Sequence, residues 1–517
     1  MAFTLPSELG TIEELIKRFE RAEQARRPYE GFLTEAFRYV APYRQTFTKL
    51  SAGVNRNKYI FDDTATIAAE RYVSRLQSML MPSWQEWSRL RPGADYEKSP
   101  QADTIAEALD KITDDLFRYI NHSNFYQVLP EALLDLSVTT GVLKIEAGDI
   151  FQPFRTTAES IANVWFEEGP GGTLENTWRK PSIAFSLIER LYDGAELSQA
   201  TKDKAKDKPD YKPELIEGTV YMAEQDEYHS FLIEKAEKHL AWAQNLGSGP
   251  GANPWVAFRS RKTPNEILGN GPGMTALSSI KTANKMVEFE LRNAALASAG
   301  AWTSTSDGVM NPYTAVIAPG SIIPVGSNAR QNPTLAPLER SGDFNVMNLV
   351  LADIRESIKM TFLNALRKAD GPVRSATEIA IEDRDLLMDE GAAFGRLNTE
   401  LVDRTVTRKV RIMSELGLIP RLTIDGREVT LKHTSPLSRA QDQSDLIALE
   451  QYFQIGNNSI GPELMALGTR VEEVPEFIAK RTGLPQELIR PEDERAQIQE
   501  TMAAAAAQAQ TAEGAAQ

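Results

Sequence analysis

The stretch GNGPGMTALSSIKT, Gly269–Thr282, decides how this chain folds. Three glycines at every second position precede a run that starts a helix, with Lys281 and Thr282 beyond it. A phosphate loop of the G-x-x-x-x-G-K-[ST] type needs lysine directly after its last glycine, so that the amine reaches the outer phosphates while backbone N–H groups hold them. Here Met274 follows Gly273, and Lys281 lies about two helical turns further on. The dinucleotide pattern G-x-G-x-x-G fails as well, because the glycines repeat every two residues and no strand-turn-helix unit frames them. Pro272 removes one more N–H donor. The segment reads as a hinge in which Gly269, Gly271, Pro272 and Gly273 permit a sharp turn into a long helix, and not as a nucleotide site.

Beyond that joint, the run MTALSSIKTANKMVEFELRNAALASA, 274–299, places Leu277, Ile280, Val287 and Leu291 on one helical face. As a helix it spans about 37 Å. Residues 300–341 contain five prolines and the strand-like pieces YTAVI and SIIPV, an irregular β insert. A second long helix follows, with Phe344, Met347, Leu351, Ile354, Ile358 and Phe362 at three/four spacing. After the breaker DGP at 370–372, Ser375 and Glu378 stand at capping-box spacing and open a helical pattern to about Leu416, about 60 Å in length. Its stripe of Phe394, Leu397, Leu401, Val406, Val410 and Met413 departs from strict heptads, and Gly391 and Gly395 interrupt it. That pattern fits a helix kinked near its glycines and packed against copies of itself. Residues 436–495 are helical with Gly and Pro breaks, and TMAAAAAQAQTAEGAAQ is a low-complexity tail expected to be disordered.

Upstream of the joint the pattern is mixed. Thr11 and Glu14 form a capping-box signature for a helix expected to break near Pro28. A second helix is expected over Asp63–Leu80, followed by SWQEWSRLRP, where Trp84 and Trp87 alternate with polar residues. Helical patterns resume over about 101–119 and 128–138. After Gly141, short alternating runs such as VLKIEAG and NVWFEEGPGGTLENTWRK read as strands and hairpins. KDKAKDKPDYK, Lys202–Lys212, mixes both charge signs and reads as a solvated loop.

With 517 residues, 42% hydrophobic and 25% charged, the chain has length for about three domains and enough apolar content to fold. It has no cysteine, which excludes disulfides and thiolate metal sites and suits a reducing cytoplasm. The first twenty residues lack a basic leader with an apolar core, so no secretory signal is expected, and no apolar run approaches a membrane span. A net charge of −15 argues against a conventional nucleic-acid binder, whose affinity comes from Lys and Arg displacing counterions, though not against a protein past which nucleic acid slides.

Candidate chemistry is thin. Glu378, Glu382, Asp383, Asp385, Asp389 and Glu390 crowd one segment and would serve an acidic metal-dependent nuclease if several elements converged there. Sequential carboxylates point around a helix, however, and with Arg404, Arg408, Lys409 and Arg411 towards the other end the arrangement reads as complementarity to the helix dipole. His122, His229, His239 and His433 show no paired spacing, and no GxSxG elbow occurs. No catalytic, cofactor or metal site is expected.

Four stretches in order resemble the portal, or head-to-tail connector, proteins of short-tailed bacteriophages: AAERYVSRLQSMLMPSWQEWSRLRP, NPWVAFRSRKTPNEILGNGPGMTALSSIKTANKMVE, the insert ending in IAPGSIIPVG, and VRSATEIAIEDRDLLMDEGAAFGRLNTEL. The resemblance implies an α+β, mostly helical portal fold: a wing over 1–272, a stem helix over 273–299, a β-rich clip over 300–341 and a second stem helix over 342–369. A tunnel loop at 370–374, a long kinked tunnel helix over 375–417, a crown over 418–495 and the tail at 496–517 would complete it. It further implies a homo-oligomeric ring of about twelve subunits in the virion, assembled in the host cytoplasm, with double-stranded DNA passing through it. Partners would be the large terminase subunit, a tail adaptor, and the major capsid and scaffolding proteins, with no membrane. Arg374, Glu378, Glu382 and Asp385 become candidate channel-lining residues.

Overall fold

The computed structural model describes residues 6–299 apart from short gaps within 45–53 and 97–101 and at 209, the strands 302–304 and 335–337, residues 344–363 and 391–435, and scattered positions between 446 and 478. The residues expected to form the tunnel loop, the Ser375–Glu378 capping box, most of those expected to form the clip and crown, and the expected low-complexity tail lie outside the described residues.

Helix α1 (Ile12–Val40) opens on the expected capping box, with Thr11 Oγ1 accepting from Glu14 N–H at 3.3 Å and Glu14 Oε2 accepting from Thr11 N–H at 2.7 Å. It does not break at Pro28; the helix runs through it. An interior proline costs about 3 kcal/mol, and both halves of α1 are held by more than that. Leu15, Ile16 and Phe19 pack with Trp165, Trp178 and Phe231, while Leu33, Phe37 and Val40 enter the main core. Between them, the Arg26 guanidinium donates to the carbonyls of Ile161, Ala162 and Val164 at 2.6–3.0 Å and lies over the Trp165 ring.

Helix α2 (Thr64–Leu80) follows, then β1 (Ser88–Pro92), α3 (Ala102–His122) and α4 (Phe125–Leu136). Of the two tryptophans before β1, Trp87 is buried against Phe117 and Phe125 and donates to Tyr126 Oη, whereas Trp84 faces solvent. Strands β2 (Thr140–Ala147) and β3 (Phe154–Ala158) come next, then β4 (Val164–Glu168) and β5 (Leu174–Arg179). Two short helices, α5 (Phe185–Leu191) and α6 (Gln199–Asp207), precede β6 (Leu215–Met222), β7 (Glu227–Glu234), β8 (His239–Ser248) and β9 (Trp255–Arg259). The sheets are antiparallel: β3-β2-β9, and β4-β5-β6-β7-β8 in chain order.

Helix α6 corrects the expectation of a solvated loop over Lys202–Lys212, at least as far as Asp207. Ser198 caps it through Thr201 N–H, and Glu234 on β7 accepts from Ser198 N–H and from the Ser198 and Thr201 hydroxyls. The anchor lies on another element, so the mixed charges of the segment do not reveal it.

After the joint come α7 (Pro272–Thr275) and α8 (Leu277–Ala299), the ladder of β10 (Trp302–Ser304) with β11 (Leu335–Pro337), and α9 (Phe344–Thr361). Because β10 leaves the end of α8 and β11 leads into α9, the pairing makes α8 and α9 an antiparallel hairpin. Helix α10 (Gly391–Leu397) continues through a π-helical turn, Asn398–Asp403, into α11 (Arg404–Glu415), and β12 (Val429–His433) pairs with β1. The main core gathers α2, α4, β2, β9, the bases of α8 and α9, and the buried stripe of α10 and α11. The result is a mixed helix and sheet protein.

Candidate functional site

The glycines of the joint are fixed by close approach. None of Gly269, Gly271 and Gly273 has positive φ, so left-handed freedom is not what they supply. A Cβ on Gly271 would lie 2.5 Å from the Leu136 carbonyl oxygen and 2.6 Å from that of Ser137; one on Gly273 would lie 2.9 Å from the latter. The segment lies flat on the turn between α4 and β2. Gly271 N–H donates to Val138 O at 2.9 Å, Gly273 N–H to Ser137 O at 2.8 Å, and Thr139 Oγ1 to Gly269 O at 2.8 Å. Gly271 is the N-cap and Pro272 the first residue of α7, where a missing N–H costs nothing. The expectation of glycines chosen for a sharp turn is thus corrected in its physical reason: the missing side chain admits the backbone of a neighbouring turn.

Above the joint, the segment 59–62 clasps both helices of the hairpin. Asn284 Oδ1 on α8 accepts from Phe61 and Asp62 N–H at 2.7 and 3.1 Å, and its amide donates to Tyr59 O. Asp62 binds Arg355 on α9 at 2.7 Å, and Arg75 of α2 donates to Leu363 O just past its end. Leu277, Ile280 and Val287 are buried as expected, and so are Leu351, Ile358 and Phe362. Leu291 is not: it is 54% exposed, because the core supports α8 only over its first three turns or so. The outer half of the hairpin carries further exposed apolar side chains, Phe289, Leu349 and Val350, and Met360 is exposed nearer the base.

Along α8, Lys281, Lys285, Phe289 and Arg292 border a groove of about 940 Å³ closed by Arg38, Tyr39 and the Lys58–Phe61 segment. Five cationic side chains line it against the single carboxylate of Glu288. Lys281 is paired with Glu35 at 2.7 Å, and Lys285 and Arg292 share Glu288.

The stripe expected on the long helix, Phe394, Leu397, Leu401, Val406, Val410 and Met413, is buried throughout. The departure from α geometry is the π turn after Gly395, a feature that sequence reading missed. Its Glu400 is bound by Arg259, and Arg396 lies 3.4 Å away. The basic residues assigned to the helix dipole behave otherwise. Arg408 is buried and donates to the carbonyls of Ile145, Gly251 and Ala252; burial lowers its pKa to about 10, so it stays charged at neutral pH. Arg411 donates to Leu246 O and Ser248 O. Lys409 is fully buried, its amine 3.3 Å from the centre of the Phe125 ring with no hydrogen-bond partner, and burial pushes it well below the usual lysine range. Arg408 and Arg411 pin the long helix to the sheets. Their local spacing carries no signal of this, since every partner is distant in sequence.

Between the sheets, Lys144 and Arg179 hold the buried Glu217 at 2.6 and 3.1 Å, and Arg179 reaches Glu159 at 3.0 Å. Burial would raise the Glu217 carboxyl, but the two cations keep it below its ordinary value. All four histidines are described and stand apart; His433 on β12 faces Asp403 of the π turn at 3.4 Å. Among the described residues no three His, Cys, Asp or Glu side chains could jointly hold a metal ion, and no helix is long and apolar enough to cross a membrane. Arg374, Glu378, Glu382 and Asp385 lie outside the described residues.

Residues 12–489 match a family described as bacteriophage head to tail connecting protein. No curated protein matches the chain. Among solved structures, a chain of the virion of a native gene transfer agent particle aligns at 11% identity and TM-score 0.35, covering 87% of this chain and 99% of that one. A chain of the neck of an empty gene transfer agent particle aligns at 12% identity and TM-score 0.33, covering 78% and 89% respectively. Both likenesses are too slight to assign a fold.

Proposed function

This chain belongs to the bacteriophage head-to-tail connecting protein family, and on that premise we propose that it is the structural subunit of a portal ring at one capsid vertex, through which double-stranded DNA is packaged and ejected. The observation that carries the reading is the α8–α9 hairpin. Its base is rooted in the main core by Leu277, Ile280, Ile358 and Phe362, while its outer half presents Phe289, Leu291, Leu349 and Val350 to solvent. Apolar side chains grouped on a projecting hairpin favour burial against another copy. Repeated head-to-tail contacts of that kind close a ring.

In this reading 1–272 is the wing, 273–299 and 342–369 are the stem, 300–341 the clip, 370–374 the tunnel loop, 375–417 the tunnel helix and 418–495 the crown. The Gly269–Gly273 segment is the joint between wing and stem. About twelve copies surround the channel in the virion, after assembly in the host cytoplasm. Each copy carries a net charge of −15, so a wall built from them repels phosphates, and the duplex slides with little adhesion or sequence preference. The ring does not hydrolyse ATP; a large terminase docked at the clip does, and a tail adaptor later takes its place. Capsid and scaffolding proteins meet the ring from the head side.

Native mass measurement of the purified chain tests this. One closed assembly of about twelve chains is expected. A chain that stays monomeric over a wide range of concentration and salt contradicts the proposal.

A further inference from the structure

The two outer faces of the α8–α9 hairpin differ in chemistry. On α8 the exposed stripe runs Lys281, Lys285, Phe289, Arg292, along the cation-rich groove. On α9 the solvent-facing side carries Leu349, Val350, Asp353, Glu356 and Met360. One face is basic with an aromatic at its middle; the other is acidic with apolar residues at both ends.

The two faces also stand at the same height. Asn284 on α8 and Arg355 on α9 both bind the Phe61–Asp62 segment, which sets these positions level in the antiparallel pair. Counting along each helix from that level, Lys285 is level with Asp353 and Ile354, Phe289 with Val350, and Lys281 with Ser357 and Ile358. A neighbour shifted sideways without any rise therefore meets Lys285 with Asp353 and Phe289 with Leu349 and Val350, while Glu356 stands about 3 Å along the axis from the level of Lys281, within reach of that long side chain.

We propose that the α8 face of one copy docks against the α9 face of the next, with Lys281 and Lys285 opposite Glu356 and Asp353, and Phe289 against the Leu349–Val350 step. This rests on the ring reading above and names the surface that forms it. The contact is heterologous, so repetition propagates it in one direction and closure requires no second kind of interface. Opposed charge sets register and suppresses wrong pairings, while the apolar residues supply buried area. The occupant is a second copy and not a nucleic acid, because phosphates would match only the α8 side and leave the level, oppositely charged α9 side without a partner.

Two variants test it: Lys281→Glu with Lys285→Glu, which makes both faces acidic, and Asp353→Lys with Glu356→Lys, which makes both basic. Each alone is expected to raise the protein concentration needed for half-assembly by about tenfold or more. An equimolar mixture of the two is expected to restore assembly as alternating rings, and that recovery also shows that both variants fold. Wild-type rings, together with either variant assembling as the wild type does, overturn the pairing and leave the ring reading standing. Loss of assembly in both variants without recovery on mixing overturns the pairing as well. A wild-type chain that never assembles overturns the ring reading and the pairing with it.

Discussion

Glu400 and Arg259 are joined by both carboxylate oxygens: Oε1 lies 2.8 Å from Nη2, and Oε2 accepts from the Arg259 backbone N–H at 2.9 Å and from Nε at 3.3 Å. The guanidinium also donates to Ile267 O and Gly172 O. One buried pair thereby ties the π turn of the long helix to the end of β9 and to the loop that leads into the joint. Removing one partner of a buried pair leaves the other charge uncompensated, so Glu400→Ala is expected to cost about 3–5 kcal/mol. Arg259→Met combined with Glu400→Leu is expected to cost clearly less. Urea unfolding of the three proteins measures this; equal losses in the single and double variants contradict it.

Two glycines are expected to respond in opposite directions. Gly271→Ala forces a methyl group onto the Leu136 and Ser137 carbonyls, and overpacking against backbone costs about 1–3 kcal/mol or more. Gly395→Ala meets nothing within 4 Å and sits in helix α10, where alanine gains about 0.5–1 kcal/mol over glycine. Thermal midpoints falling for the first and rising for the second are the expected outcome. A drop for Gly395→Ala contradicts the open surroundings seen there.

Lys409 makes stability depend on pH. Burial pushes the folded amine well below the usual lysine range, because a cation–π contact worth about 2 kcal/mol offsets only part of several kcal/mol of desolvation. The unfolded chain binds the proton up to a pKa of about 10.4, so between the lowered native value and that point the unfolded state holds one more proton and stability rises with pH. The slope is up to about 1.4 kcal/mol per pH unit. Lys409→Met is expected to stabilise the protein at pH 7 and to remove that part of the slope; urea midpoints at two pH values give both. A Met variant less stable than the wild type at pH 7 means the amine is charged in the fold.

The features legible in the sequence are those whose cause is local. The Thr11–Glu14 box, the extent of α2 and the stripe from Phe394 to Met413 follow from spacing alone. Periodicity puts Leu291 on the same helical face as Leu277, Ile280 and Val287 but does not tell how far along a helix the core reaches. The local cost of Pro28 is legible in the sequence, but the burial on either side of it is not. Glu400 looks like any helix carboxylate because its partner Arg259 lies 141 residues earlier. For the same reason the alternate spacing of Gly269, Gly271 and Gly273 suggested a turn, when its cause is the carbonyls of residues 136 and 137, far back in the chain.

If Glu378, Glu382 and Asp385 line the channel, replacing all three with lysine adds attraction for phosphate along the path of the duplex. Assembly is expected to be unchanged, and packaging or exit of DNA slowed, with the effect weakening at higher salt. Packaging at the wild-type rate by assembled variant rings removes these residues from the lumen.

In the proposed ring, copies of this chain enclose a hole. Electron-microscopy class averages of the purified, DNA-free protein at near-physiological salt test it most directly. Annular particles whose central opening admits duplex DNA are expected; small solid particles at every concentration and salt would overturn the ring.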